Sequence, residues 1–123
     1  MDKLVLDRQI KDAVAAHGAW KSKLNQAVQT GVLPKPARDI AVDDQCAFGK
    51  WLHGLRGDST VSGSAEYGAV VRAHAAFHQL AGAIAAKVET GARDAAEDEL
   101  SGPRFAQSSA ELERAMNRWR LSI

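Results

Sequence analysis

Four side chains in this sequence have the donor chemistry to hold a transition-metal ion: His17, Cys46, His74 and His78. His74 and His78 stand four positions apart in a stretch of helical periodicity. Both imidazoles therefore emerge on one helix face, one turn apart, where together they can grip a divalent cation. An isolated pair of this kind is more often two ordinary helix residues with satisfied ring nitrogens. His17 changes that weighing, because it falls on the apolar stripe of an earlier helix, where a core residue is expected. A buried imidazole must satisfy two nitrogens. One metal solves that problem for all three histidines and leaves one nitrogen on each for an outer partner. Cys46, the only cysteine, reads either as a small buried hydrophobe or as the thiolate that completes the set. Three imidazoles and a thiolate form the kind of shell that tetrahedral zinc takes, with bonds of about 2.0–2.3 Å. Copper(I), iron and nickel accept some of the same donors, so donor type narrows the metal without fixing it.

A shell filled by four protein ligands has no position for water. That points to structure or regulation, since catalytic zinc keeps a site open. Ala75 stands where a metalloprotease would carry its glutamate, and no Gly-rich phosphate loop or Ser/His/Asp pattern occurs. The expectation is a protein that is not an enzyme. The fourth histidine, His53, is expected at the surface, with an outer-donor role as the alternative.

The elements that must position these residues are helical throughout. Leu6, Ile10, Val14, His17, Trp20, Leu24 and Val28 recur at steps of three and four, which predicts a helix over about 2–30, capped by Asp2 and stopped by Gly31. Residues 34–44 read as a proline-containing connector. Cys46 to His53 fits a short helix of two turns, followed by turn chemistry at 54–59. Ser62 or Ser64 caps a second long helix whose stripe is Tyr67, Val70, His74, Phe77, His78, Ala81, Ile84 and Val88, with Gly91 as its stop. A short acidic helix spans 94–100, Pro103 breaks or kinks the chain, and Phe105, Leu112, Met116, Trp119 and Ile123 line a last helix. No stretch alternates with period two. The expected fold is all-α, an antiparallel four-helix-type bundle with one additional short helix that carries the cysteine. Trp20 and Trp51 are expected in or near the core, with an acceptor for each indole N–H.

The 123 residues suit one domain, 1–123, large enough for a hydrophobic core. A net charge of +1 without any Lys/Arg block argues against a nucleic-acid binder. No apolar run is long enough for a membrane span, and the first residues lack a secretory pattern. Together with the lone cysteine, this leads to an expected cytoplasmic location.

Three strings in order resemble the chemoreceptor zinc-binding domain family: His17-Gly18-Ala19-Trp20-Lys21, Cys46-Ala47-Phe48-Gly49-Lys50-Trp51-Leu52, and His74-Ala75-Ala76-Phe77-His78. They match H-x-x-W-K, C-x-x-G-K-W-L and H-x-x-x-H. The resemblance is strong over about 10–91 and rests on placement and length alone in the last helix. His53 departs from the family pattern, which commonly has an aromatic after the W-L pair. The resemblance implies a helical bundle with Zn²⁺ held by His17, Cys46, His74 and His78. It also implies a role in bacterial signalling beside chemoreceptors or diguanylate cyclases, and a homodimer. No such output domain is present in these residues.

The chemistry suits a sensor. A thiolate ligand ties occupancy to pH and free metal, and it stays open to oxidation. Residues 46–52, held by little besides the connector and a glycine-rich turn, are the expected moving part. The competing readings are an adaptor bundle in which zinc only stabilises the fold, and a small metalloenzyme.

Overall fold

The computed structural model describes residues 2–123. Met1, the first residue of the expected 1–123 domain, lies outside the described residues. The chain forms helices and no strand among the described residues: α1 Lys3–Thr30, α2 Ala37–Ile40, α3 Ala47–Gly54, α4 Ser59–Ser62, α5 Ala65–Glu89, α6 Arg93–Leu100 and α7 Pro103–Leu121. A 3₁₀ turn, Leu55–Gly57, follows α3. The protein is an all-α bundle.

Local chemistry sets the ends of the long helices where the sequence predicts them. The Asp2 carboxylate accepts from the Leu4 and Val5 N–H groups, and Gly31 at φ 76° ends α1 in the left-handed conformation that glycine adopts without penalty. Ser64 caps α5 by accepting from the Tyr67 N–H. Pro103 starts α7 at a position where its missing N–H costs nothing, so the chain breaks there rather than kinks. Arg93 donates to the carbonyls of Val28 and Gln29, giving partners to the open end of α1.

Helix α5 is the centre of the fold and packs against α1, α2, α6 and α7. Ile10, Leu24 and Val28 of α1, Val70, Phe77 and Ile84 of α5, and Leu112 and Met116 of α7 are all buried to within 1%. These side chains belong to one apolar cluster that also takes in Leu52 and Leu55. Asp7 pairs with Arg120 at 2.9 Å and ties the start of α1 to the end of α7.

Two expectations need correction. Residues 34–44 are not a plain connector, because 37–40 coil into the single turn of α2, with Ala37 and Ile40 buried. This turn lies directly on α5: a Cβ built on Gly82 would stand 2.4 Å from the Cβ of Ala41. Nor is the short helix loosely held. Leu52 is fully buried, the Tyr67 hydroxyl donates to the Leu52 carbonyl at 2.6 Å, and the Trp51 indole N–H donates to Gln9 Oε1 at 3.1 Å. The periodicity of eight residues carries no information on such anchors, because they come from residues far away in the chain.

Candidate metal centre

Each donor arrives on a different kind of support. His74 and His78 sit mid-helix on α5, the most enclosed element, and are 1% and 2% exposed. Cys46 is the N-cap of α3, with its sulfur accepting the Gly49 N–H at 3.2 Å. His17 lies on α1, buried, with its ring edge-on to Phe77 at 4.2 Å between centroids.

The sulfur of Cys46 lies 3.5 Å from His74 Nε2 and 3.4 Å from His78 Nε2. A tetrahedral zinc with one sulfur and one nitrogen ligand holds those atoms about 3.5 Å apart, by its bond lengths and angle. The three residues form a buried group whose candidate ligand atoms lie within 4.8 Å of one another. His17 falls outside that group. It lines the same cavity, of about 340 Å³, whose walls also include Trp20, Lys23, Lys35 and Gln45. Its Nε2 is buried with no hydrogen-bond partner among the described residues. The sequence-predicted set is thus brought to one cavity, with three donors mutually close and the fourth beside them.

Hydrogen bonding fixes how His78 is presented. Its Nδ1 lies 2.8 Å from the Ile40 carbonyl, an acceptor only, so Nδ1 carries the proton and Nε2 offers a lone pair toward Cys46. The single turn of α2 therefore does chemical duty through a main-chain oxygen, which no side-chain pattern announces. His74 has no such partner: its Nδ1 is buried and unpaired.

Burial governs the protonation of the set. Desolvation, with Lys21 and His78 adding to it, pushes His17 down to about 4. Desolvation and then the charge of His78 push His74 down to about 3. His78 is lowered by desolvation, against an opposing pull from its bond to Ile40. The Cys46 thiol is raised by burial, although the Gly49 N–H and Lys35 oppose the shift. At neutral pH the imidazoles are neutral and ready to bind a cation, and the thiol is the one group that must give up a proton. Two orphaned buried nitrogens, a lone pair aimed at a sulfur and a soft/borderline donor set fit a zinc ion.

Gly49 is the steric key. A Cβ there would lie 1.7 Å from the Asp43 carbonyl oxygen and 3.1 Å from His74 Cε1. Only glycine lets the main chain at Asp43 and the His74 ring crowd α3 at this point. A glycine inside a short helix is the sequence signal for such an approach, since it costs helix stability with no local benefit. His53, expected at the surface, is half-buried, with Nε2 3.2 Å from Asp43 Oδ2. Trp51 packs between Phe48 and Trp119, and its N–H is satisfied as expected. Trp20 is half-buried in the cavity wall, edge-on to His78 at 6.0 Å.

The family model for the chemoreceptor zinc-binding domain matches residues 17–85, a span that begins at His17 and includes Cys46, His74 and His78. The chain belongs to that family. No curated protein and no solved structure matches it. No described helix is long and apolar enough to cross a membrane.

Proposed function

We propose that this chain is a zinc-binding regulatory module in which His17, Cys46, His74 and His78 hold one Zn²⁺ and the state of that centre controls a bacterial signalling partner. The observation that carries the reading is the buried sulfur of Cys46 facing Nε2 of both α5 histidines at 3.5 and 3.4 Å. The unpaired Nε2 of His17 in the same cavity supports it as the fourth ligand. When bound, zinc supplies a charge that holds Cys46 as a thiolate at neutral pH.

The thiolate gives a second input. A peroxide or hypochlorous acid delivers one oxygen to the Cys46 sulfur, which is oxidised by two electrons to a sulfenic acid while water or chloride leaves. The open cavity gives such small molecules a route to the sulfur. Family membership supports partners of the chemoreceptor or diguanylate cyclase type, pairing with a second copy, and a regulatory rather than enzymatic role.

Metal analysis of the purified chain beside Cys46→Ala, His74→Ala and His17→Ala variants tests the centre. About one zinc per wild-type chain and loss in the variants is expected; equal zinc in all four would remove the reading. The firm anchoring of α3 through Leu52 and Trp51 favours one competing role, a static zinc that only braces a docking surface. Partner binding that is indifferent to chelator while the chain stays folded would select that role.

A further inference from the structure

The two histidines that face Cys46 are unequally supported. His78 has its outer partner in the Ile40 carbonyl at 2.8 Å, whereas His74, only 1% exposed, keeps an Nδ1 with no partner. Metal-bound histidines nearly always donate their second ring N–H to a carboxylate or carbonyl. A buried N–H without an acceptor costs the full desolvation of that group.

Asp43 is the acidic residue whose charge acts on this ring. The main chain of Asp43 and Cε1 of His74, the carbon between its two nitrogens, both border the space that a Cβ on Gly49 would take. The charge of Asp43 acts on His74 and on His78. Its side chain is only lightly held: Oδ2 lies 3.2 Å from His53 Nε2, yet that nitrogen has no aligned hydrogen bond. The pair is about a quarter exposed on each side, so rotation of the carboxylate is cheap.

We propose that Asp43 is the positioning residue of the centre, its carboxylate resting against His53 in the metal-free chain and accepting the Nδ1–H of His74 when metal is bound. The proposal rests on the reading of His74 as a ligand. Asp43 then links occupancy to His53 at the far end of α3. Loading the centre draws the carboxylate inward and releases His53 toward solvent.

Zinc affinity of the full chain, measured by competition with a chromophoric chelator, tests this in wild type, Asp43→Asn, His53→Gln and the double variant. Asp43→Asn is expected to weaken binding by about 10- to 100-fold, the usual effect of losing such a partner. His53→Gln is expected to tighten binding, because it frees the carboxylate, and to do nothing once Asp43 is gone. Wild-type affinity in Asp43→Asn overturns the proposal, as does an effect of His53→Gln that persists in the double variant. Should Asp43→Asn fold poorly by circular dichroism, long-range ¹H–¹⁵N spectra of the wild type decide. His53 ring signals that move on zinc addition, with a hydrogen-bonded Nδ1–H on His74, support the exchange; an unmoved His53 overturns it. Failure of the underlying reading looks different: the wild type binds no zinc, or His74→Ala binds as well as the wild type.

Discussion

Helix α5 meets its neighbours in two different ways. Toward α7 it sets ring against ring, Tyr67 on Trp119 and Phe77 on Phe105, over the fully buried Leu112 and Met116. Toward α2 and α3 it sets His74 and His78 against a sulfur and a carbonyl. The first seam satisfies itself: apart from the Ser109 hydroxyl, α7 buries no unpaired polar side-chain atom among the described residues. The second buries the unpaired Nδ1 of His74 and faces the orphaned Nε2 of His17. Apolar contact strengthens with area removed from water and needs no ligand. Buried polar groups without partners cost free energy until something completes them. One seam therefore holds the fold together, and the other is poised for a cation.

The comparison breaks most decisively if the seams are not separable. Cys46→Ala or His74→Ala is expected to lower zinc affinity by more than about 100-fold, beyond what loss of an outer partner costs, while the metal-free chain still melts cooperatively. Met116→Ala is expected to show the reverse: about 2–5 kcal/mol less stability in denaturant titrations, with zinc stoichiometry unchanged. A Met116→Ala variant that loses zinc while still folded would show the two seams to be one unit.

Gly49→Ala and Gly82→Ala sharpen the contrast within the polar side. Both introduce a clash against main chain, 1.7 Å from Asp43 O in one case and 2.5 Å from Ala41 Cα in the other. Each is expected to cost about 1–3 kcal/mol or more, as overpacking does. Gly49→Ala alone also strikes the His74 ring, so it should lose more zinc affinity than Gly82→Ala in the same chelator competition.

Zinc itself should act as a stabiliser of the folded state. At free metal 100 times the dissociation constant the gain is about 2.7 kcal/mol, or on the order of 10 °C in melting temperature. His17→Ala should shrink that shift while leaving the metal-free melt close to its starting value. An undiminished shift would leave only three protein ligands.

A separate set of effects concerns protons. With His17 near 4 and His74 near 3, the imidazoles are already neutral at pH 7, and the raised Cys46 thiol supplies about one proton per zinc bound. A weakly buffered titration with an indicator dye counts it, and a release near zero or above two is inconsistent with this electrostatic picture. In the metal-free chain the same depressed histidines hold fewer protons folded than unfolded. Their contribution is intact above about 6.5 and is lost as pH falls toward 4 and then 3. Denaturant midpoints measured from pH 7 to pH 4 should therefore decline.

Much of this is legible in the sequence alone. Asp2, Gly31, Ser64 and Pro103 are local signals, and local signals fix helix ends. The stripes of α1, α5 and α7 show which faces go inward, and the inward histidines announce themselves by sitting where leucine would be expected. What the chain does not spell out is long-range or main-chain in origin. The carbonyl of Ile40 looks like any other, the turn of α2 is too short for periodicity, and Asp43 reads as one more charge in a connector. The anchoring of α3 escaped for the same reason, since Tyr67 and Gln9 lie in other helices.

That anchoring has a mechanical consequence. Helix α3 is pinned near its tail by the Tyr67–Leu52 bond and the wedge of Trp51 against Trp119. Its head is held by groups of the metal centre itself: the sulfur, and the contacts of Phe48 and Gly49 with His74 and Asp43. With the tail fixed, a disturbance at Cys46 is expected to reach Trp51, beside the terminal turns of α7, as a small rotation rather than as detachment of the helix. Indole emission that stays constant through metal loading and stripping would mean that this fulcrum transmits nothing.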